Sequence, residues 1–258
     1  MKAIDREARI SLVGAGPGAD DLITLRGLRT LQDADVVLYD ALVSEKLLAE
    51  IPAGVKKIYV GKRCGQHSLH QQEINTLLVE SALTYGHAVR LKGGDPYVFG
   101  RATEEIAYAN TFGISVTVVP GVSSVTAVAA SQGIPITKRG VSSSFWVVTA
   151  TTKDGSFPKD LSLAAQSSAT LIILMGIRKI KALSEVLLQH KNPRTPFAIL
   201  QNGTLENESC AMGTLGTMAK VSNTIDVTQP GILIIGDVVA EHNFFFEDDI
   251  QLVLDSVL

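Results

Sequence analysis

Hydrophobic and polar positions follow two periods along the chain. Short apolar runs bounded by glycine, proline or aspartate predict strands over 10–13, 36–39, 57–60, 87–91 and 116–119. Between them, apolar residues recur at helical spacing. Leu22, Leu25, Leu28 and Leu31 form one stripe behind Asp20 and Asp21, acidic residues that suit a first helical turn. Ile74, Leu77 and Leu78 mark a helix over 71–82, and Ile106 and Ala109 mark one that begins near Arg101. A short helix is expected over 45–51, and a tightly packed one of small residues over 123–131. Further on, strands are predicted over 145–149, 171–174, 197–200 and 232–235, with helices over 179–190 and 214–221. Alternation of this kind predicts an α/β fold of two α/β domains with mainly parallel sheets. The domains are placed at 8–122 and 123–246, followed by a C-terminal tail over 247–258.

Composition narrows the class. The chain has 258 residues, of which 46% are hydrophobic and 19% charged, as in an ordinary globular protein. A chain of this size buries enough surface to need no disulfide or metal. The net charge of −3 argues against a nucleic-acid partner but leaves room for a local basic pocket. Cys64 and Cys210 are far apart and form no CxxC pair, so free thiols and a cytoplasmic location are expected. His67 and His70 lack further metal-type ligands nearby, which favours a loop or helix-cap role over zinc. The N-terminus shows no signal peptide, and the apolar runs are too short to span a membrane.

The candidate chemistry sits where the strands of the first domain end. The terminating loops are Gly14-Ala15-Gly16-Pro17-Gly18, Asp40, Gly61-Lys62-Arg63, Gly93-Gly94-Asp95 and Pro120-Gly121. In a parallel sheet these ends share one edge, the binding edge of such folds. Adjacent glycines allow close approach to the backbone and can leave N–H groups for an anionic group, while Asp95 adds a negative charge. Taken alone, Gly93-Gly94-Asp95 equally suits an ordinary strand-to-helix turn, and Asp40 a turn cap. The first loop also satisfies the dinucleotide pattern G-x-G-x-x-[GA], with Asp35 or Asp40 as the ribose-binding acid. Pro17 counts against a nicotinamide enzyme, because it offers no N–H where a pyrophosphate needs donors.

Taken in order, the Gly14 loop, Tyr39-Asp40, Gly61-Lys62-Arg63, the stretch from Gly93-Gly94-Asp95-Pro96 to Phe99-Gly100-Arg101, and Gly133-Ile134-Pro135 resemble the tetrapyrrole methylase family, in the branch acting on uroporphyrinogen III. The resemblance implies S-adenosylmethionine as co-substrate, S-adenosylhomocysteine as product, a cofactor site in the inter-domain cleft and a homodimer. It implies methylation of uroporphyrinogen III at C2 and C7, giving precorrin-2 for sirohaem or cobalamin synthesis. By position, Pro17, Gly93, Gly94, Asp95, Val98, Ser123, Ser124, Met175, Gly203 and Gly231 would contact the cofactor. Asp40 matches the family's proton acceptor and Lys62 its proton donor. Arg63, Arg101, Lys138 and Arg139 would bind the carboxylates of the tetrapyrrole.

Several readings remain open beside these. Met175 also suits plain core packing, and Lys62-Arg63 a solvated surface pair. Lys138 stands where the family has histidine, and Thr149-Ala150-Thr151 where it has Thr-Gly-His, which leaves space for a related substrate. Ser123-Ser124 replaces Thr-Ala but keeps a small hydroxyl at the first position. The alternatives are a methylase of the same fold acting on a later corrin intermediate, a protein residue or ribosomal RNA, an NAD(P)-dependent oxidoreductase, and a non-catalytic binding protein.

Overall fold

The computed structural model describes residues 7–61 and 69–242. Lys62, Arg63, His67, the Phe244-Phe245-Phe246 run and the tail over 247–258 lie outside the described residues. Two compact units divide the chain after Ser123.

The first unit runs β1 (Arg9–Gly14), α1 (Leu25–Gln32), β2 (Val36–Tyr39), α2 (Glu45–Ala49), β3 (Lys56–Tyr59), α3 (Gln71–Tyr85), β4 (His87–Lys92), α4 (Ala102–Asn110) and β5 (Ser115–Val119). Its sheet has the order β3-β2-β4-β1-β5, and every pair is parallel. Helices cover both faces, so the inner strands read as near-continuous apolar runs. Ile10, Leu12 and Ala88 pack with Leu78 and Ala82 of α3 and Ala109 of α4. Val13, Val89 and Leu91 alternate to the opposite face, with Leu31 and Leu47.

One boundary differs from the sequence pattern. Asp20–Leu22 is a single 3-10 turn, and α1 starts only after Thr24, whose hydroxyl accepts from Gly27 N at 3.0 Å. Leu25 is 72% exposed, so the buried stripe is shorter than the four leucines suggest.

The second unit contains α5 (Ser124–Ser131), β6 (Phe145–Thr149), α6 (Asp160–Gln166), β7 (Thr170–Leu174), α7 (Ile180–Leu188), β8 (Pro196–Gln201), β9 (Ser209–Thr214), α8 (Met218–Val221) and β10 (Gly231–Ile235). The sheet order is β6-β7-β10-β8-β9. Here the expected mainly parallel sheet is corrected. Only β6 and β7 pair in parallel, whereas β10 is antiparallel to β7 and β8, and β8 is antiparallel to β9. The link over 202–208 is too short for a parallel crossover. The sequence reading missed β9, since Ser-Cys-Ala-Met-Gly-Thr lacks the β-branched run that marks the other strands. No helix among the described residues is long and apolar enough to cross a membrane.

Candidate active site

The loops after β1, β4 and β5 touch through their backbones. Gly94 N donates to Gly16 O at 2.7 Å, and Gly16 N to Gly94 O at 3.3 Å. A Cβ on Gly14 would stand 2.5 Å from Gly121 Cα, and one on Gly121 would stand 2.3 Å from Gly94 O. Glycine at these positions is therefore a condition of the loops meeting. Asp95 fastens the arrangement. Its Oδ1 accepts from Tyr97 N at 2.8 Å and its Oδ2 from Gly121 N at 3.0 Å. The expectation that the Gly93 and Gly94 N–H groups are free for an anion is corrected. Gly94 N is bonded to Gly16 O, and Gly93 N faces Asp40 Oδ2 at 3.4 Å. These glycines offer side-chain-free surface rather than an anion nest.

Asp40 follows β2 at the same edge. Its Oδ1 accepts from Leu42 N at 3.1 Å, so the turn-cap reading holds alongside any chemical role. The side chain is 24% exposed, and Arg90 Nη2 stands 3.5 Å from Oδ2. Leu42 follows Asp40 in the same loop, and Tyr97, Val98 and Phe99 lie in the loop after β4; all four are exposed apolar groups, suited to a flat hydrophobic ligand. Arg101 caps α4 and forms a two-point ion pair with Glu104, at 2.8 and 2.7 Å, which raises its pKa further. A substrate carboxylate would compete with Glu104 for Nε and Nη2.

Beneath this edge lies a group that sequence reading passed over. Arg90 and Lys92 alternate onto the α3/α4 side of β4, both buried, and converge on Glu105 of α4. Lys92 Nζ reaches both Glu105 oxygens at 2.9 Å. Burial, and then Arg90, lower the Lys92 pKa, against the opposing pull of Glu105 and Asp40.

In the second unit, the antiparallel course of β10 decides the geometry. Its first residue, Gly231, pairs with Gln201, and Ile232 pairs with Leu174. Gly231 therefore lies beside the carboxyl ends of β7 and β8, next to Met175 and Gly203. A Cβ on Gly203 would stand 2.3 Å from Val128 Cγ2, so that loop packs directly on α5, which Ser124 begins. Met175 is 52% exposed and left-handed at φ 57°, which answers the core-packing alternative. Asn202 and Thr204, at φ 52° and 68°, flank Gly203 and were not foreseen. A β-branched residue in this region is strained, and such strain clusters at functional sites. The remaining left-handed non-glycine residues among those described, Phe99 and Arg101, lie in the loop after β4.

Ser123 closes the loop after β5, and Pro17 is half-buried between Gly16 and Gly18. Lys138 and Arg139 fall elsewhere. Their turn is closed by Ser142 N bonding to Lys138 O, and Ser142 Oγ accepts from Thr170 N at 3.2 Å, at the amino end of β7. They thus lie at the edge opposite Met175, Gly203 and Gly231, and Lys138 is paired with Glu241. Gly133-Ile134-Pro135 lines a groove of about 510 Å³ beside that pair.

The dinucleotide reading fails on geometry. The glycine loop leads into a 3-10 turn rather than a helix N-terminus. Asp35 bonds His87 N at 2.8 Å, at the far end of the sheet from that loop. Among the described residues, no group of three or more His, Cys, Asp or Glu is placed to hold a metal ion. His70 instead starts α3, its N–H bonded to Glu73 at 2.6 Å.

Comparison with known proteins agrees with this arrangement. Residues 9–219 match the family model described as Tetrapyrrole (Corrin/Porphyrin) Methylases. The chain is 43% identical over 233 residues to a uroporphyrinogen-III C-methyltransferase of Methanocaldococcus jannaschii, covering 90% of this chain and 96% of that one. It is 44% identical over 241 residues to a siroheme synthase of Baumannia cicadellinicola, covering 92% of this chain but only 52% of the synthase, about half its length. The crystal structure of a Thermus thermophilus uroporphyrin-III C-methyl transferase complexed with S-adenyl homocysteine superposes with a TM-score of 0.78 at 38% identity, covering 90% of this chain and 98% of that one. With the glycine loops meeting at one edge and the family pattern running over most of its length, the chain belongs to the tetrapyrrole (corrin/porphyrin) methylases.

Proposed function

We propose that this chain is an S-adenosylmethionine-dependent C-methyltransferase acting on uroporphyrinogen III. The observation that carries the reading is the 43% identity extending over 96% of the Methanocaldococcus uroporphyrinogen-III C-methyltransferase. Methylation at C2 and C7 gives precorrin-2, on the way to sirohaem or cobalamin. The working form is a cytoplasmic homodimer whose small-molecule partner is the tetrapyrrole.

The residues present suit the methyl donor. Gly93 and Gly94 present bare backbone, Pro17 and Val98 present apolar surface, and the Asp95 bonds hold the loops in register. Ser123 and Ser124 add small hydroxyls. On the second unit, the Met175 thioether is a polarisable, adaptable face for an adenine, and Gly203 and Gly231 keep the neighbouring strand ends free of side chains. Bound S-adenosylmethionine supplies an activated methyl on a cationic sulfur. The chain's task is to align the pyrrole carbon with that methyl and to keep water out. Asp40 takes the proton that leaves the macrocycle, and Lys62 is the proton donor by family position. Arg63 and Arg101 engage ring carboxylates, Arg101 by giving up Glu104. Lys138 and Arg139 are the weakest members of the substrate set, because Lys138 already has Glu241.

Calorimetric titration with S-adenosylhomocysteine and, separately, NADPH tests the cofactor, with turnover of Asp40→Asn measured alongside. Binding of S-adenosylhomocysteine alone, with turnover reduced about 100-fold or more, is expected. NADPH binding without S-adenosylhomocysteine binding would overturn the reading.

A further inference from the structure

Arg90 has no assigned part in the reaction, yet its side chain is only 6% exposed and all three guanidinium nitrogens are engaged. Nε donates to Glu105 Oε1 at 3.3 Å, Nη1 donates to Leu91 O at 2.8 Å, and Nη2 faces Asp40 Oδ2 at 3.5 Å. Glu105, whose side chain is fully buried, is itself fixed by Lys92 at 2.9 Å and by Gln71 Nε2 at 3.3 Å. The guanidinium is thus a rigid fork seated on α4 through Glu105, with one prong extended to the end of β2.

Asp40 receives its other contacts from the main chain of Leu42 and Gly93, at 3.1 and 3.4 Å. Those two fix where the carboxylate begins. Among the described side chains, Arg90 makes the ion pair with it, and Lys92 lies close enough to feel its charge. Arg90, Lys92, Glu105 and Asp40 together balance two cations against two anions. A buried ion cluster is weak evidence for added stability, because a well-packed apolar replacement often does as well. A role in setting geometry is the better account of an ion cluster placed directly under the strand ends.

We infer that Arg90 is a positioning residue for Asp40. It holds the carboxylate at the binding edge, aimed past Gly93, so that it meets the proton leaving the macrocycle. Arginine is required because a lysine offers one charged nitrogen and cannot reach Glu105, Leu91 O and Asp40 together. The inference rests on Asp40 being the proton acceptor.

The test measures methylation of uroporphyrinogen III for the wild type, Arg90→Lys, Asp40→Asn and the double variant, with S-adenosylhomocysteine affinity and circular dichroism for each. Arg90→Lys is expected to lower kcat by about tenfold or more, as part of a general-base contribution, with KM and S-adenosylhomocysteine affinity changed by less than about threefold. In the Asp40→Asn background the same change is expected to cause no further loss, the signature of residues acting as a unit. Wild-type kcat in folded Arg90→Lys, or the same loss in both backgrounds, overturns the inference and leaves the Asp40 assignment standing. Wild-type turnover in Asp40→Asn removes that assignment itself. Should Arg90→Lys not fold, Glu105→Gln carries the test, since it loosens the fork while keeping Arg90. A kcat loss confined to the Asp40 background supports the inference, and no loss, or a loss in both backgrounds, overturns it.

Discussion

Gly121→Ala is the sharpest probe of the loop arrangement. The new methyl would stand 2.3 Å from Gly94 O and 2.7 Å from Gly14 Cα, all backbone atoms that cannot rotate away. Restoring ordinary contact requires the loops to part by about 1 Å, an overpacking cost of roughly 1–3 kcal/mol. That shift takes the 2.7 Å Gly94–Gly16 bond and the 3.0 Å bond from Gly121 N to Asp95 out of hydrogen-bonding range. Losing the bond to the carboxylate adds roughly 1.5–3 kcal/mol. Against a typical domain stability of about 5–15 kcal/mol the fold should survive, with a lowered melting temperature. Ligand affinity should fall as well, because the displaced loops carry Gly93, Gly94 and Asp95. A rise of at least about tenfold in the S-adenosylhomocysteine Kd corresponds to ~1.4 kcal/mol and is readable by calorimetry. Gly113→Ala is the control. Gly113 is left-handed at φ 69° with nothing within 4 Å of its Cβ, so it should lose stability by about 1–2 kcal/mol without losing affinity. Wild-type affinity in Gly121→Ala, with a melting shift no larger than the control's, would show that the loops do not need glycine there.

Other outcomes follow from single residues. Arg101→Ala should raise the KM for uroporphyrinogen III severalfold with little change in melting temperature, since exposed pairs such as Arg101–Glu104 contribute only about 0–1 kcal/mol; steady-state kinetics and a thermal melt check both halves. Burial, and then Glu208, push the Cys210 thiol up to about 12, so in a Cys64→Ser background it should resist iodoacetamide at pH 8 until urea unfolds the chain. Lys92 has a folded pKa below 10.5, so the unfolded chain binds more protons there and this group makes stability rise with pH as 10.5 is approached; urea titrations should show that slope reduced in Lys92→Met.

The sequence makes the first unit readable because its inner strands are buried on both faces and its helices carry a clear period. The strand-end loops were visible for the same reason, since each glycine or aspartate interrupts an apolar run. The second unit was harder. Nothing in Gly231-Ile232-Leu233-Ile234-Ile235 tells whether the strand runs with or against its neighbours, and β9 carries no run of strand-forming residues to announce it. The strain at Asn202 and Thr204 is a backbone property of residues that are ordinary in sequence, though Asn202-Gly203 is a turn signal. Arg90 sits in an apolar run that reads as strand, and its alternation with Lys92 is the signal. Two charges spaced i, i+2 on a strand with no exposed face need a buried counter-charge, and Glu105 is one turn into the next helix.

Anaerobic incubation with uroporphyrinogen III and S-adenosylmethionine, read by mass spectrometry, measures methyl transfer to this substrate directly. The expected product is heavier by two methyl groups and forms with S-adenosylhomocysteine in matching amount. An unchanged tetrapyrrole, from protein that binds S-adenosylhomocysteine, would contradict the substrate assignment and turn attention to Lys138 and Thr149-Ala150-Thr151, where the chain departs from the family pattern.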